Sequence, residues 1–248
     1  MELHLPLIYG FALVLLRTTA LFFVAPVLSA RAVPARIRLG LSLFVALAAF
    51  SGAGTPTVMP PDNLIPLLGA AIAETALGLV AGLSSRVVLE AALASGQLVG
   101  LSAGLGFGAT IDPIFGAESG AVGQLLSMAA LGFAVALGLH REAIGWLAES
   151  VRQIPPGSPQ DVTTLAGTVV TQAIFSATLA VRLAFPLWTA TLLAHLGLGL
   201  AGRTAPQLNL TTIGFTLSLI AAGGALYVGA PTMAHLTAQS AVNAFPPL

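Results

Sequence analysis

Four ionisable residues stand inside strongly apolar stretches of the sequence: Arg17, Glu74, Glu90 and Arg182. A charge in hydrocarbon costs about 2.5 to 3.5 kcal/mol even on the lenient insertion scale, so such residues are functional suspects by default. Two kinds of chemistry fit them. One is a proton or ion relay, which needs a chain of titratable groups within reach of one another. The other is a set of interhelical ion pairs, or bonds to neighbouring subunits, that fix how helices dock. The four residues are scattered, which favours docking over a relay, and Glu90 and Arg182 are also placed to snorkel from helix ends.

No other residue set points to catalysis. His4, His140, His195 and His235 never stand at the i, i+3 or i, i+4 spacing of a helical metal site, so no metal or other cofactor is expected. His140 is expected to begin a cytoplasmic loop as a surface residue, and His195 to bond a neighbouring helix. The sequence has no Cys, which removes disulfides, thiolate nucleophiles and iron-sulfur ligands. Gly100, Gly104, Gly106 and Gly108 lack both the G-x-G-x-x-G spacing and a strand-to-helix context, and fit close packing of membrane helices better than a phosphate loop. No carboxylate pair or nucleophile with a base is visible, so the chain is expected not to be an enzyme.

The elements that must position these residues are membrane helices. Only 7% of the 248 residues are charged and 56% are hydrophobic, too little charge to cover a water-soluble fold of this length. Mean hydropathy is +0.96, and apolar runs of spanning length recur along the whole sequence. Net charge is zero and all nine basic residues are Arg, so no nucleic-acid partner or polybasic anchor is indicated. The first run holds Arg17 inside it and has no basic stretch before it, which reads as a first membrane helix rather than a cleaved signal.

Apolar segments fall near 7–28, 37–53, 64–83, 87–106, 121–140, 166–201 and 208–230, giving six to eight helices in a single all-α membrane domain over 1–248. The 166–201 segment is too long for one simple span, and Pro186 near its middle allows either one crossing or two. Arg31, Arg36 and Arg38 in the first connection, Arg86 in the third, and Arg141 with Arg152 around the fifth suggest that the odd-numbered connections share the cytoplasmic side.

The stretch from Leu105 to Gly120 is the most irregular. Gly and Asp112-Pro113 rule out a continuous helix, while Phe107, Ile111, Ile114 and Phe115 make it too apolar for an exposed loop. Such backbone is tolerated at membrane depth only where protein buries it or where it lines a cavity. It is read either as a glycine-hinged apolar plug that closes a pore or as a loop tucked against its own helices.

At Arg203-Thr-Ala-Pro-Gln-Leu-Asn209, followed by Gly214-Phe215, the sequence resembles the FliR family of flagellar export-gate proteins and its virulence-type secretion counterparts. Further matching pieces are Arg17 and Pro26, Pro34 with Arg36, Glu74 with Gly78, Gln97 with Gly100, Asp112-Pro113, Gly138 with His140, Ser150 before Pro155 and Gly157, and Pro186, so the likeness covers nearly the whole chain. Thr211 and Thr216 depart from it, standing where the family commonly has an aromatic residue and a Pro.

The resemblance implies a non-enzymatic subunit in a hetero-oligomeric helical assembly of the bacterial inner membrane, at the flagellar basal body. It implies FliP-like and FliQ-like membrane subunits, FlhB-like and FlhA-like export components, and unfolded flagellar proteins as substrates. By the same likeness the 105–118 segment, with Phe107, Ile111, Asp112, Pro113, Ile114 and Phe115, is the plug of the closed gate. Arg17, Glu74, Arg182, Arg203, Pro206, Gln207 and Asn209 are then structural or interfacial residues. A virulence-type secretion subunit and a small-solute secondary transporter are the rival readings; the second lacks an internal repeat and has few polar groups for a solute site.

Overall fold

Lipid supplies no hydrogen-bond partners, so a chain this apolar satisfies its backbone by coiling it. The structure, a computed structural model, describes residues 4–29, 33–103, 120–204 and 210–247. Among these there are seven helices and no strand: α1 (His4–Val24), α2 (Ala35–Gly52), α3 (Leu64–Ser102), α4 (Ala121–Ala136), α5 (Leu139–Gln153), α6 (Val162–Thr204) and α7 (Leu210–Val242). Five of them, α1, α2, α3, α6 and α7, contain stretches long and apolar enough to cross a bilayer, and α4 with α5 is a sixth candidate broken by a 58° bend. The architecture is the polytopic, broken-helix membrane fold expected from composition.

Three expectations from hydropathy are corrected. Segment 64–83 and residues 87–102 of the next segment belong to one helix, α3. The polar Ser84 and Ser85 between them are no breakers, because their hydroxyls donate back to the carbonyls of Val80 (2.7 Å) and Gly82 (3.1 Å) within the same helix. Arg86 therefore lies inside a helix rather than in a connection. Likewise the fifth connection is the helix α5, whose buried face is Leu139, Ala143, Trp146, Leu147, Ser150 and Val151. His140 accordingly stands in the first turn of a packed helix, half-buried, and not at the head of an exposed loop.

The shared side of the basic connections fails with it. Arg152 Nη2 donates to the carbonyl of Gly52, the last residue of α2, at 3.5 Å, whereas Arg36 and Arg38 occupy the first turn of α2. Those arginines stand at opposite ends of an 18-residue helix, about 25 Å apart along its axis. Amphipathic packing of α5 overrides the charge rule, which holds only for residues in short connections.

The 166–201 segment is a single helix, α6, that carries Pro186 internally. At 1.5 Å per residue the 43 residues of α6 and the 39 of α3 are each roughly twice as long as a hydrocarbon core of about 30 Å. Contacts within the chain divide it into two compact units: residues 1–88, 135–173 and 241–248 form unit 1, and 89–134 with 174–240 form unit 2.

In unit 1 the core is Val14, Leu21 and Ala25 with Ala46, Ala49 and Phe50 of α2, Ala81 of α3, and Trp146, Leu147 and Val151 of α5. Phe11 and Phe50 meet edge to face at 5.7 Å. The tail returns to this core: Phe245 stacks on Trp146, and the indole Nε1 donates to the Pro246 carbonyl at 2.8 Å. Gly138, at φ +86°, makes the corner between α4 and α5, and its carbonyl accepts from the amides of Arg141 (2.8 Å) and Glu142 (3.1 Å).

Unit 2 packs through small residues, with Ala91, Ala92, Ala130, Ala134, Ala180, Ala184, Ala234 and Ala238 all buried. At the α3–α4 crossing a Cβ on Gly96 would lie 2.6 Å from the Gly123 Cα. Trp188 Nε1 donates to the Leu98 carbonyl at 3.1 Å, and Phe133 meets His235 edge to face at 5.8 Å.

A methyl group separates these packing roles. Gly96→Ala must push two helix backbones apart and is expected to lower stability by about 1 to 3 kcal/mol. Gly132→Ala, where a Cβ meets nothing within 4 Å, is expected to be neutral or mildly stabilising, since Ala is the better helix former. Thermal unfolding of the two variants in detergent checks the contrast.

Candidate functional site

The densest polar arrangement in unit 1 begins with a backbone contact. Gly78 of α3 faces α1 so closely that a Cβ there would fall inside the Arg17 carbonyl oxygen and 2.9 Å from Ala20 Cβ. One turn on, a Cβ on Gly82 would lie 3.0 Å from the Ala25 amide nitrogen. Glu74 is one turn before Gly78 on the same face of α3. The glycine contact thus brings the Glu74 carboxylate against the Arg17 side chain.

Both residues are completely buried. Arg17 Nε donates to Glu74 Oε2 at 2.6 Å. The other two guanidinium nitrogens reach elsewhere: Nη1 donates to Ser150 Oγ at 3.1 Å, and Nη2 to the Ile154 carbonyl at 3.1 Å. The second carboxylate oxygen, Oε1, accepts the Gly157 amide at 2.8 Å. Ser150 Oγ in turn donates to the Leu147 carbonyl at 2.8 Å. Every nitrogen of the guanidinium and both carboxylate oxygens are bonded, as a buried charge pair requires.

The network ties together α1, α3, α5 and the 154–160 connection. Gly157 sits at φ +81°, a conformation that suits glycine, and a side chain there would press on Leu13 Cδ1 at 3.3 Å. The far end of the connection is held by Asp161. Its carboxylate accepts from the Thr163 amide (3.1 Å), the Thr163 hydroxyl and the Thr164 hydroxyl (2.6 Å), capping α6. Those hydroxyl bonds hold the Asp161 carboxyl down at about 2, against an ordinary 3.8.

Chemically, the arrangement is a clamp. The partners of the guanidinium are a carboxylate, a hydroxyl already donating to a helix carbonyl, and a backbone carbonyl, a set that fixes position.

The remaining residues singled out in the sequence do not join it. Glu90 is exposed on α3, and Arg182 is exposed on α6. His195 is exposed on α6 and makes no hydrogen bond among the described residues, so the expected bond to a neighbouring helix is absent there, its side chain being on the outward face. Arg203 falls in the last turn of α6. Pro206, Gln207, Asn209, and the plug residues Phe107, Ile111, Asp112, Pro113, Ile114 and Phe115 lie outside the described residues. Ser150 and Gly157 stand out in the sequence only as matches to a family pattern. Their roles come from spatial proximity, across separations of 133 residues from Arg17 to Ser150 and 83 from Glu74 to Gly157.

Two outcomes follow from the clamp. Arg17→Met or Glu74→Leu alone strands a buried charge and is expected to destabilise the chain by about 3 to 5 kcal/mol, while the double replacement recovers much of that loss; thermal unfolding in detergent of the three variants measures the coupling. The Asp161 cap, being stronger for the ionised form, contributes in full above pH 3.8 and fades as pH falls towards about 2. Amide exchange at Thr163, corrected for intrinsic rates, is therefore expected to accelerate over that window, and to lose the pH dependence in Asp161→Asn.

Residues 8–243 match the bacterial export proteins, family 1. The chain is 32% identical over 213 residues to the flagellar biosynthetic protein FliR of Escherichia coli strain K12, covering 83% of this chain and 78% of that one. It is 31% identical over 214 residues to the protein of the same name from Caulobacter vibrioides, covering 86% and 85%. With the Bacillus subtilis strain 168 protein of that name it shares 28% identity over 215 residues, 85% and 82% of the two chains. An all-helical membrane fold, matched along nearly its full length, places the chain in family 1 of the bacterial export proteins, the family of FliR.

Proposed function

We propose that the chain is a non-enzymatic subunit of the flagellar type III protein export gate in the bacterial inner membrane. The observation that carries this is the match over residues 8–243 to an export family, together with relatives named for flagellar biosynthesis. The outer surface supports it. Phe44, Ile65, Tyr227 and Val228 are between 71% and 86% exposed, and such side chains need lipid or sister subunits around them.

In this reading FliP-like and FliQ-like membrane subunits pack against those surfaces, and FlhB-like and FlhA-like components complete the export apparatus. The clamp of Arg17 and Glu74 keeps unit 1 rigid, and Arg203, Pro206, Gln207 and Asn209 serve structure or interface. The 105–118 segment, with Phe107, Ile111, Asp112, Pro113, Ile114 and Phe115, is the plug that closes the passage, and Phe107, Ile111 and Phe115 supply its apolar closure. A seal of this kind excludes ions by dewetting rather than by charge.

Because the sequence has no Cys, Ile111→Cys supplies a unique crosslinking handle. In complexes coexpressed with the two small partners, it is expected to crosslink to a partner loop or to a stalled, unfolded export substrate. No crosslink to either would remove the plug assignment. A chain that is stable alone and carries a small solute into vesicles would reject the gate reading altogether.

A further inference from the structure

Arg182 lies near the middle of the 43-residue helix α6, about five turns from either end. Its side chain is exposed and makes no hydrogen bond or ion pair among the described residues. The opposite face of α6 packs into unit 2, where Ala180, Leu183, Ala184, Leu187 and Thr191 are buried. At about 100° per residue, Phe175, Leu193 and Leu200 fall within about 20° of Arg182 around the helix, and Phe185 and Leu196 within about 60°. These five side chains are 45% to 67% exposed. The arginine is therefore set in an apolar line that α6 turns away from its own unit.

Neither lipid nor water accommodates that line alone. A hydrocarbon core of about 30 Å takes up about 20 residues of helix, so it holds either the middle of α6 or one side of it. In the first case the guanidinium is about 15 Å from water in both directions, further than its side chain snorkels. In the second, the exposed apolar side chains on the other side of Arg182 leave the bilayer and need protein over them, starting one turn away at Phe185 or two turns away at Phe175. A phospholipid phosphate beside Arg182 would answer the charge and leave those side chains uncovered. A partner helix answers both, provided that it brings an anion. A carboxylate fits best, because its two oxygens accept the parallel N–H bonds of the arginine fork and its charge cancels that of the guanidinium.

We propose that the outer face of α6 from Phe175 to Leu200 docks a membrane helix of a sister subunit, and that a carboxylate on that helix pairs with Arg182. The pairing presupposes that the chain is a gate subunit and specifies one of its interfaces. A second copy of this chain does not supply the acid from its described residues. Glu74, Glu149 and Asp161 are engaged, and Glu90 already has an interaction within the chain. Asp62 precedes α3, and Glu142 lies in the first turn of α5. One and two turns to either side of its carboxylate, the partner helix is apolar, to meet Phe175, Phe185 and Leu193.

The test uses the full chain coexpressed with the two small membrane partners. Arg182→Glu is expected to bring down those partners about tenfold less than the unsubstituted chain does. The isolated variant is expected to accumulate in membranes and to unfold at an unchanged temperature, because Arg182 bonds nothing among the described residues. Arg182→Leu, which strands the partner's carboxylate, is expected to assemble poorly as well. Replacing the matching partner carboxylate by Lys or Arg is expected to restore the Arg182→Glu complex. Assembly of both variants at the unsubstituted level would overturn the pairing. So would a complex that keeps its subunits and loses only bound phospholipid, the mark of a headgroup contact. If Arg182→Glu fails to accumulate, Arg182→Gln, uncharged and milder, is read in the same way. An unsubstituted chain that brings down no partner would sink the gate reading itself, whereas normal assembly that is indifferent to position 182 sinks the pairing alone.

Discussion

A positive and a negative charge taken out of water together must satisfy each other and every remaining lone pair, and unit 1 is organised around that demand. Neither Arg17 nor Glu74 has access to solvent, so the strength of their attraction and the penalty for losing either one are both large. Meeting the demand required a glycine where α1 and α3 touch, a serine on α5, an open carbonyl at Ile154, and a left-handed glycine to present an amide. The packing of α1, α3 and α5 therefore converges on one polar point inside an otherwise alanine- and leucine-rich core.

Helices in both units also approach one another at backbone distance. In a bilayer there is little hydrophobic force to press one helix on another, so contact has to come from shape. Unit 1 gains it at Gly78, and unit 2 at Gly96 and Gly123, in each case where a methyl group would collide with backbone of the facing helix, and Gly82 adds a tight approach to Ala25 just past α1. Density of small side chains, rather than bulk, sets how near these helices lie.

Much of this was legible in the sequence. The apolar runs announced the helices, the paucity of charge announced the bilayer, and two of the four ionisable residues within those runs, Arg17 and Glu74, marked the clamp. What escaped had physical causes. Hydropathy averages residues without regard to face, so α5, half of whose circumference is buried, looked like a connection. It also treats serine as an interruption, whereas Ser84 and Ser85 bond to their own helix and let α3 continue. The partners of Glu74 and Arg17 on α5 and at Gly157 were beyond reach because nothing local in a sequence records which distant segments meet. The segment around Asp112-Pro113 lies outside the described residues, so its reading rests on composition and likeness alone.

The long reach of the clamp bears on how the chain matures. Arg17 and Glu74 are 57 residues apart, but the groups that complete their bonding sit 133 and 137 residues after Arg17. A nascent chain bearing only α1 to α3 would hold an ion pair still short of three partners, in a medium where that deficit is costly. Closure of unit 1 is thus a late, non-local event, of the kind that slows folding and leaves early intermediates exposed to quality control.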